Sequence, residues 1–314
     1  MRRKVSLLFL LFLSLLCKRP EGYEETRLLL GTYVRIKVYK MKKERAKGVI
    51  DRAFKEIARI DSITSTFSQE SEVFRLNRKG KGVVSSDLKR MIEKALYISE
   101  ITDGAFDITV YPLEELWGFY TGRYRVPTDS EIRETLKSVN YKNVVVKGDS
   151  VYLLHHTRID LAGIAKGYAV DRAVEVLKRE GIDCGLVDAG GDIRVFGRKR
   201  GGFRIGLKHP RKEGIFKVFK IKEGAIATSG DYEKFFIKRG KRYCHIIDPH
   251  TGYPAHRCVS ATILTDKAMT ADALATALFV LGPDRGERLA DSLGKKALFI
   301  YEERGELKGE GSLK

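Results

Sequence analysis

The sequence predicts an α+β fold, a largely antiparallel sheet covered by helices within a single domain. Helical and strand-like segments are interleaved without the regular strand–helix–strand period of a doubly wound sheet. Short strands between residues 185 and 248 follow one another through Gly-rich corners with no helix between them. The chain of 314 residues is 43% hydrophobic and holds only seven Pro. It can therefore bury a sizeable core, which excludes a disordered tail or a disulfide-stapled miniprotein.

The elements follow in order. Met1–Lys4 carries Arg2, Arg3 and Lys4, and Val5–Leu16 is an almost unbroken apolar run. These are the basic and apolar regions of a secretory signal, too short to span a bilayer comfortably as a mature helix. Cys17 follows at once, a position that suggests lipid attachment in bacteria; Leu16, however, is larger than the small residue such processing prefers, and no A-x-A cleavage pattern is present. Residues 1–17 thus read as an export signal, whether a signal peptide cut elsewhere, a lipoprotein signal or a signal anchor, and residues 18–27 as a short linker before a domain over 28–314. The expected location is the periplasmic side of the inner membrane.

Leu28–Val38 reads as a strand, with Val34, Ile36 and Val38 alternating against charged neighbours. Val49, Ile50, Ala53, Phe54, Ile57 and Ile60 recur at helical spacing and predict a helix over Lys43–Ile63. Leu88, Met91, Ile92, Ala95, Leu96 and Ile98 predict a second, capped by Ser86 or Asp87. A helix near Ser130–Ser138 and strands at Asn143–Val146 and Val151–Leu154 come next. Ile164–Arg179 is a third long helix, ended by Gly181. Strands then follow at Gly185–Asp188, Ile193–Phe196, Phe203–Leu207, Phe216–Ile221, Ala225–Ser229, Tyr243–Asp248 and Val259–Leu264. A helix from about Met269 to Val280, a short helix and a final strand at Ala297–Tyr301 close the chain.

Lys plus Arg number 59 against 41 Asp plus Glu, a net charge of +18. Such a surface attracts anions, but its cations are scattered among acids. A nucleic-acid binder would need aromatics among clustered Arg and Lys, and export argues against it. Cys184, Cys244 and Cys258 show no metal-site or C-x-x-C spacing and read as small buried residues.

Four segments carry chemistry. In Ile159-Asp160-Leu161-Ala162-Gly163-Ile164-Ala165-Lys166-Gly167-Tyr168, an acid leaves a strand and a Lys sits in the first helical turn. This is either an anion site at a helix N-terminus or a capped helix with a solvated Lys. Asp188-Ala189-Gly190-Gly191-Asp192-Ile193 is a tight turn or a ligand loop, and not a dinucleotide fingerprint, because no helix follows. Ala227-Thr228-Ser229-Gly230-Asp231-Tyr232 ends a strand. His245 lies in a later strand ahead of Asp248-Pro249-His250-Thr251-Gly252, either a core group or a catalyst. In Ala268–Leu278, Asp272 and Thr276 stand four residues apart on one helical face among Ala and Leu. The pair suits Mg²⁺; alternatively Thr276 bonds its own helix and Asp272 pairs with an Arg.

Together and in this order, these segments resemble the ApbE family, the FAD:protein FMN transferases. Ser65-Thr66-Phe67 with Ser71-Glu72, and Thr102-Asp103-Gly104-Ala105-Phe106-Asp107-Ile108-Thr109, add to the match. The resemblance implies an ApbE-like, T-fold-like domain that binds FAD near Mg²⁺, cleaves the link between FMN and AMP, and passes FMN to a Thr or Ser hydroxyl of a target protein. It implies Gly163 (through its carbonyl), Asp272 and Thr276 as metal ligands. It implies Leu30, where the family usually has Met, Phe67, Ala105, Phe106, Asp107, Asp160, Lys166, His245 and Ile246 as FAD contacts. Within that chemistry, Lys166 would stabilise oxygens that gain charge, and His245 would handle or orient the acceptor proton, with Asp160 as the alternative base. By analogy the acceptor is an exported or membrane redox subunit, as in Rnf or Nqr type complexes. Two rivals share the site: a Mg²⁺-dependent FAD pyrophosphatase that uses water, and an exported lipoprotein that only holds FAD.

Overall fold

The computed structural model describes residues 22–314; the export signal and Cys17 lie outside the described residues. The strand expected over Leu28–Val38 is a hairpin of β1 (Tyr23–Leu29) and β2 (Thr32–Val38). Its two-residue turn, Leu30-Gly31, has φ of 54° and 68°, the conformation that matches the twist of paired strands. Residues 23–27, expected as linker, are therefore strand. Tyr23, Glu25 and Arg27 form their half-buried edge, and the Arg27 guanidinium lies 4.3 Å over the ring of Phe54.

The remaining elements are α1 (Lys43–Thr64), α2 (Glu72–Lys79), β3 (Lys81–Val83), α3 (Ser86–Ile101), α4 (Tyr111–Trp117), α5 (Asp129–Leu136), β4 (Val144–Lys147) and β5 (Ser150–Leu153). After them come α6 (Ala162–Arg179), β6 (Gly185–Ala189), β7 (Asp192–Phe196), β8 (Phe203–Lys208), β9 (Ile215–Ile221), β10 (Gly224–Gly230), β11 (Phe235–Lys238) and β12 (Lys241–Cys244). The chain closes with β13 (Ser260–Thr265), α7 (Ala268–Ser292), β14 (Lys296–Glu303) and β15 (Glu306–Glu310).

One sheet organises the fold. Its eight strands run β1-β2-β6-β7-β10-β13-β14-β15, and every neighbouring pair is antiparallel. The α+β expectation holds. Helices α1, α6 and α7 cover one face, where Ile36, Val187, Ala225, Ala227 and Ile263 meet Ile50, Phe54, Val170, Leu274 and Leu278. The β8–β9 hairpin covers the other, its alternating Phe203, Ile205, Leu207, Phe219 and Ile221 packing against Val195, Ile226 and Ile300. A small satellite cluster joins α4, α5 and the D-P-x-T-G turn through Leu113, Trp117, Ile132 and Ile247. There Trp117 Nε1 donates to the Gly252 carbonyl at 2.9 Å.

Two local expectations are corrected. The cap of α3 is Ser85, whose hydroxyl accepts from the Leu88 amide at 3.3 Å. Asp87 is occupied instead by Arg59 at 2.7 Å and by the Tyr168 hydroxyl. The final strand is a hairpin, because Arg304 and Gly305 turn the chain at positive φ. The expected stop of α7 is found: Gly282, at φ 76° and ψ 179°, breaks the helix ahead of Pro283, which has no amide hydrogen to continue it. Cys184, Cys244 and Cys258 are buried and free. No helix of the described residues is long and apolar enough to cross a membrane.

Candidate active site

The site is built where α6 crosses α7. Gly167 makes the crossing possible: a Cβ there would stand 2.6 Å from the Ala268 carbonyl carbon and 2.8 Å from Asp272 Cβ. The approach lets the Gly167 amide donate to Asp272 Oδ2 at 2.9 Å. One turn along α6, the Asp171 carboxylate accepts from the amides of Ala268 and Met269 at 3.0 and 3.1 Å, capping α7 from outside its own sequence. Arg194 of β7 balances Asp171 at 2.6 Å. The two helices are thus fixed to each other and to the sheet.

This brings Lys166 between two carboxylates, Asp192 at 2.9 Å and Asp272 at 3.5 Å, of which only 4% and 3% is exposed. Asp272 therefore pairs with a Lys rather than an Arg. Burial pushes the Asp272 carboxyl up to about 7, Asp192 adds to the shift, and Lys166 and the Gly167 amide oppose it. Burial also raises Asp192, against Lys166. Burial opposes the charge on Lys166, but the two acids outweigh it and hold the ammonium well above its usual range. Two buried acids thus share one cation, and with both ionised one negative charge has no partner. Beside them Thr276 Oγ1 lies 3.1 Å from Ser229 Oγ and, more weakly, 3.4 Å from its own i−4 carbonyl on Asp272. Gly163 is adjacent: a Cβ there would lie 3.7 Å from Thr276 Oγ1 and 3.0 Å from the Phe106 ring.

A carboxylate, a hydroxyl and a backbone carbonyl are hard oxygen donors suited to Mg²⁺, and the surplus negative charge fits a cation. Among the described residues no group of three or more His, Cys, Asp or Glu is placed to hold a metal. A site here would therefore need the hydroxyl and carbonyl donors.

The outer half of the site is aromatic. The Phe67 ring is 70% exposed and lies 5.2 Å from Tyr120, which in turn packs 4.6 Å from Tyr111. The Tyr120 hydroxyl donates to Asp160 Oδ2, and Asp160 Oδ1 accepts from the Ala162 amide at 2.9 Å, so both oxygens of Asp160 are engaged. His245 lies just beyond β12, and its Nδ1 is 3.1 Å from the Lys234 carbonyl. A carbonyl can only accept, so Nδ1 carries the hydrogen and Nε2 keeps its lone pair. Burial, with Lys234 and Lys166 nearby, pushes this imidazole down to about 4.

The other expected residues are placed unevenly. Ala105 and Phe106 are buried beside the α6 N-terminus, and Ile246 is buried behind His245. Asp107 is turned inward: Oδ1 accepts from the Thr109 amide and hydroxyl at 2.8 and 2.6 Å, and Oδ2 from the Tyr141 amide at 2.8 Å. Leu30 occupies the β1–β2 turn, its amide donating to Asp61 at 3.0 Å. The start of β2 abuts Gly190, where a Cβ would lie 2.5 Å from Thr32 Oγ1. Asp192, Ser229, Tyr120 and Glu114 were not singled out by sequence reasoning. The first two sit inside quoted motifs, Glu114 belongs to a helix too short to show a period, and Tyr120 lies in the turn after that helix.

An eight-stranded antiparallel sheet with an acid-and-ammonium centre at a helix crossing defines the class of this protein, and comparison places it. The ApbE family model matches residues 30–299, and the chain belongs to that family. The FAD:protein FMN transferase of Vibrio cholerae serotype O1 is 36% identical over 254 residues, 77% of this chain and 75% of the relative. That of Treponema pallidum is 31% identical over 312 residues, covering 91% and 86%. Among solved structures, the ApbE protein of Thermotoga maritima superposes with a TM-score of 0.86 at 39% identity, covering 91% of this chain and 96% of that one. The flavin transferase ApbE of Vibrio cholerae gives 0.81 at 31% identity, covering 93% and 97%.

Proposed function

We propose that this chain transfers FMN from FAD to a Thr or Ser hydroxyl of a target protein and releases AMP. The names of its relatives, FAD:protein FMN transferase and flavin transferase, support the reaction. The observation that carries it to these residues is the charge imbalance at Lys166, Asp192 and Asp272, poised beside a hydroxyl and below an exposed aromatic mouth. Asp272, Thr276 and the Gly163 carbonyl would hold Mg²⁺, which when bound supplies positive charge to the diphosphate oxygens.

Phe67 offers a ring face to the flavin or the adenine. Lys166 places an ammonium where the bridging oxygens gain charge as the bond to AMP breaks. The acceptor hydroxyl forms the new P–O bond, and its proton passes to His245 Nε2, the free lone pair of a ring held neutral. Asp160, with both oxygens accepting, serves in binding and orientation. The acceptor we propose is an exported or membrane redox subunit, of Rnf or Nqr type, met on the periplasmic side by a chain anchored through residues 1–17.

The test is incubation of FAD, Mg²⁺ and the candidate acceptor. Fluorescent flavin should remain on the acceptor in a denaturing gel, with AMP released and both products lost on chelation. AMP with free FMN alone would mean hydrolysis, and no AMP would remove the enzyme reading altogether.

A further inference from the structure

At the mouth of the site, two acids are served by one phenol. The Glu114 carboxyl of α4 lies against Asp160 and Tyr120, and the single hydroxyl hydrogen of Tyr120 is given to Asp160. Glu114 Oε2 is sealed from solvent with no hydrogen-bond partner among the described residues. An ionised carboxylate accepts and cannot donate, so a buried carboxylate oxygen beside another carboxylate is left unsatisfied. One additional proton resolves both problems, since a carboxyl O–H on Glu114 gives Asp160 a donor and gives the sealed oxygen a partner.

We infer that Glu114 is a positioning residue for Asp160: it remains an uncharged acid, donates its hydrogen to the Asp160 carboxylate, and fixes a single negative charge in one orientation where FAD is proposed to bind. The inference rests on that FAD reading. The groups facing Glu114 fit the assignment. Asp160 approaches from the segment before α6, Tyr120 follows α4, and Lys234, after β10, favours ionisation. Arg158 is committed to Glu115 and the face of Tyr111. Burial and then Asp160 raise the Glu114 carboxyl well above its ordinary range, with Lys234 opposing. A second charge would repel both Asp160 and an incoming diphosphate.

Infrared spectra of the ligand-free wild type and Glu114→Gln read the proton directly. A protonated-carboxyl band is expected in the wild-type-minus-variant difference spectrum at neutral pH, where bands of the raised Asp272 and Asp192, common to both proteins, cancel. FAD titration then reads the consequence. Glu114→Gln, which keeps a neutral donor, should bind within about twofold of wild type, and Glu114→Ala about tenfold more weakly, the loss of one hydrogen bond to a charged group. Because the folded group is raised, wild-type affinity should fall as pH rises through its ionisation, and Glu114→Gln should not follow. Absence of the band, or equal affinity in the Gln and Ala variants, would overturn the inference. If Glu114→Ala does not fold, the band and the Gln pH profile decide it alone. A wild type that binds no FAD would instead overturn the proposed function, and the role at FAD with it. The band, read without ligand, would still show whether Glu114 holds the proton.

Discussion

The inner and outer halves of the site are built in opposite ways. Inside, Lys166, Asp192 and Asp272 are fixed by main chain: a Gly167 contact that admits no side chain, a cap from Asp171, and the register of β7 in the sheet. Outside, Phe67, Tyr120 and Asp160 come from three separate segments and meet through side chains, with Phe67 largely in solvent, and His245 is held by the Lys234 carbonyl. Charge stabilisation in phosphoryl transfer needs dipoles and ions that do not reorganise, whereas a mouth for a large ligand and a protein acceptor must open and release. Rigidity is spent where charge develops, and adaptability is kept where molecules enter.

The comparison breaks most sharply at Asp272. Asp272→Ala should lower AMP release from FAD at least about a hundredfold, the scale of losing one electrostatic contact to the transition state. Its thermal stability should match or exceed that of the wild type, because Lys166 keeps Asp192 and the surplus buried charge is gone. Turnover within tenfold of wild type would show that the inner centre does not carry the chemistry. His245→Ala should follow at about a hundredfold, the usual worth of a positioned base, with FAD affinity little changed. Its pH signature has a definite sign. The folded ring stays neutral down to about 4, while the ordinary value is 6.5, so the unfolded chain binds the extra proton first. The contribution to stability is complete above about 6.5 and is lost as pH falls toward about 4. Denaturant melts of wild type and variant across that window measure it.

Gly167→Ala probes the lock rather than the chemistry. The new methyl would press on the Ala268 carbonyl, backbone that has no room to yield, costing about 1–3 kcal/mol in a urea melt as for overpacked cores. An unchanged melt would mean that the crossing is slack.

Legibility follows the same division. Gly163, Lys166, Asp272 and Thr276 could be read because each lies in a short segment whose spacing already puts the chemistry on one helical face or turn. Asp192 could not, because its partner Lys166 is brought to it by strand register rather than by sequence proximity. Glu114 escaped because α4 has only seven residues, fewer than a periodic pattern needs, and Tyr120 because it lies in the turn after that helix, where no period runs. The β1–β2 hairpin was hidden by Leu30, which adopts a φ of 54° that favours Gly or Asn over a Leu. The break in α7 was legible as a helix expected to stop near Val280, and Gly282 and Pro283 are what stop it.

Phe67→Ala is the mildest test and the one that separates the halves. The ring is 70% exposed, so its removal forfeits little buried area and should leave the melting temperature unchanged. If the ring stacks on FAD, the loss is that of one aromatic contact, about 0.5–1.5 kcal/mol, or roughly two- to tenfold in affinity. That loss should fall on KM for FAD, with kcat kept, because the inner centre is untouched. Phe67→Tyr or Phe67→Trp should restore affinity, since a ring face is all the position offers. A fall in kcat without a change in KM would instead make Phe67 part of the rigid half.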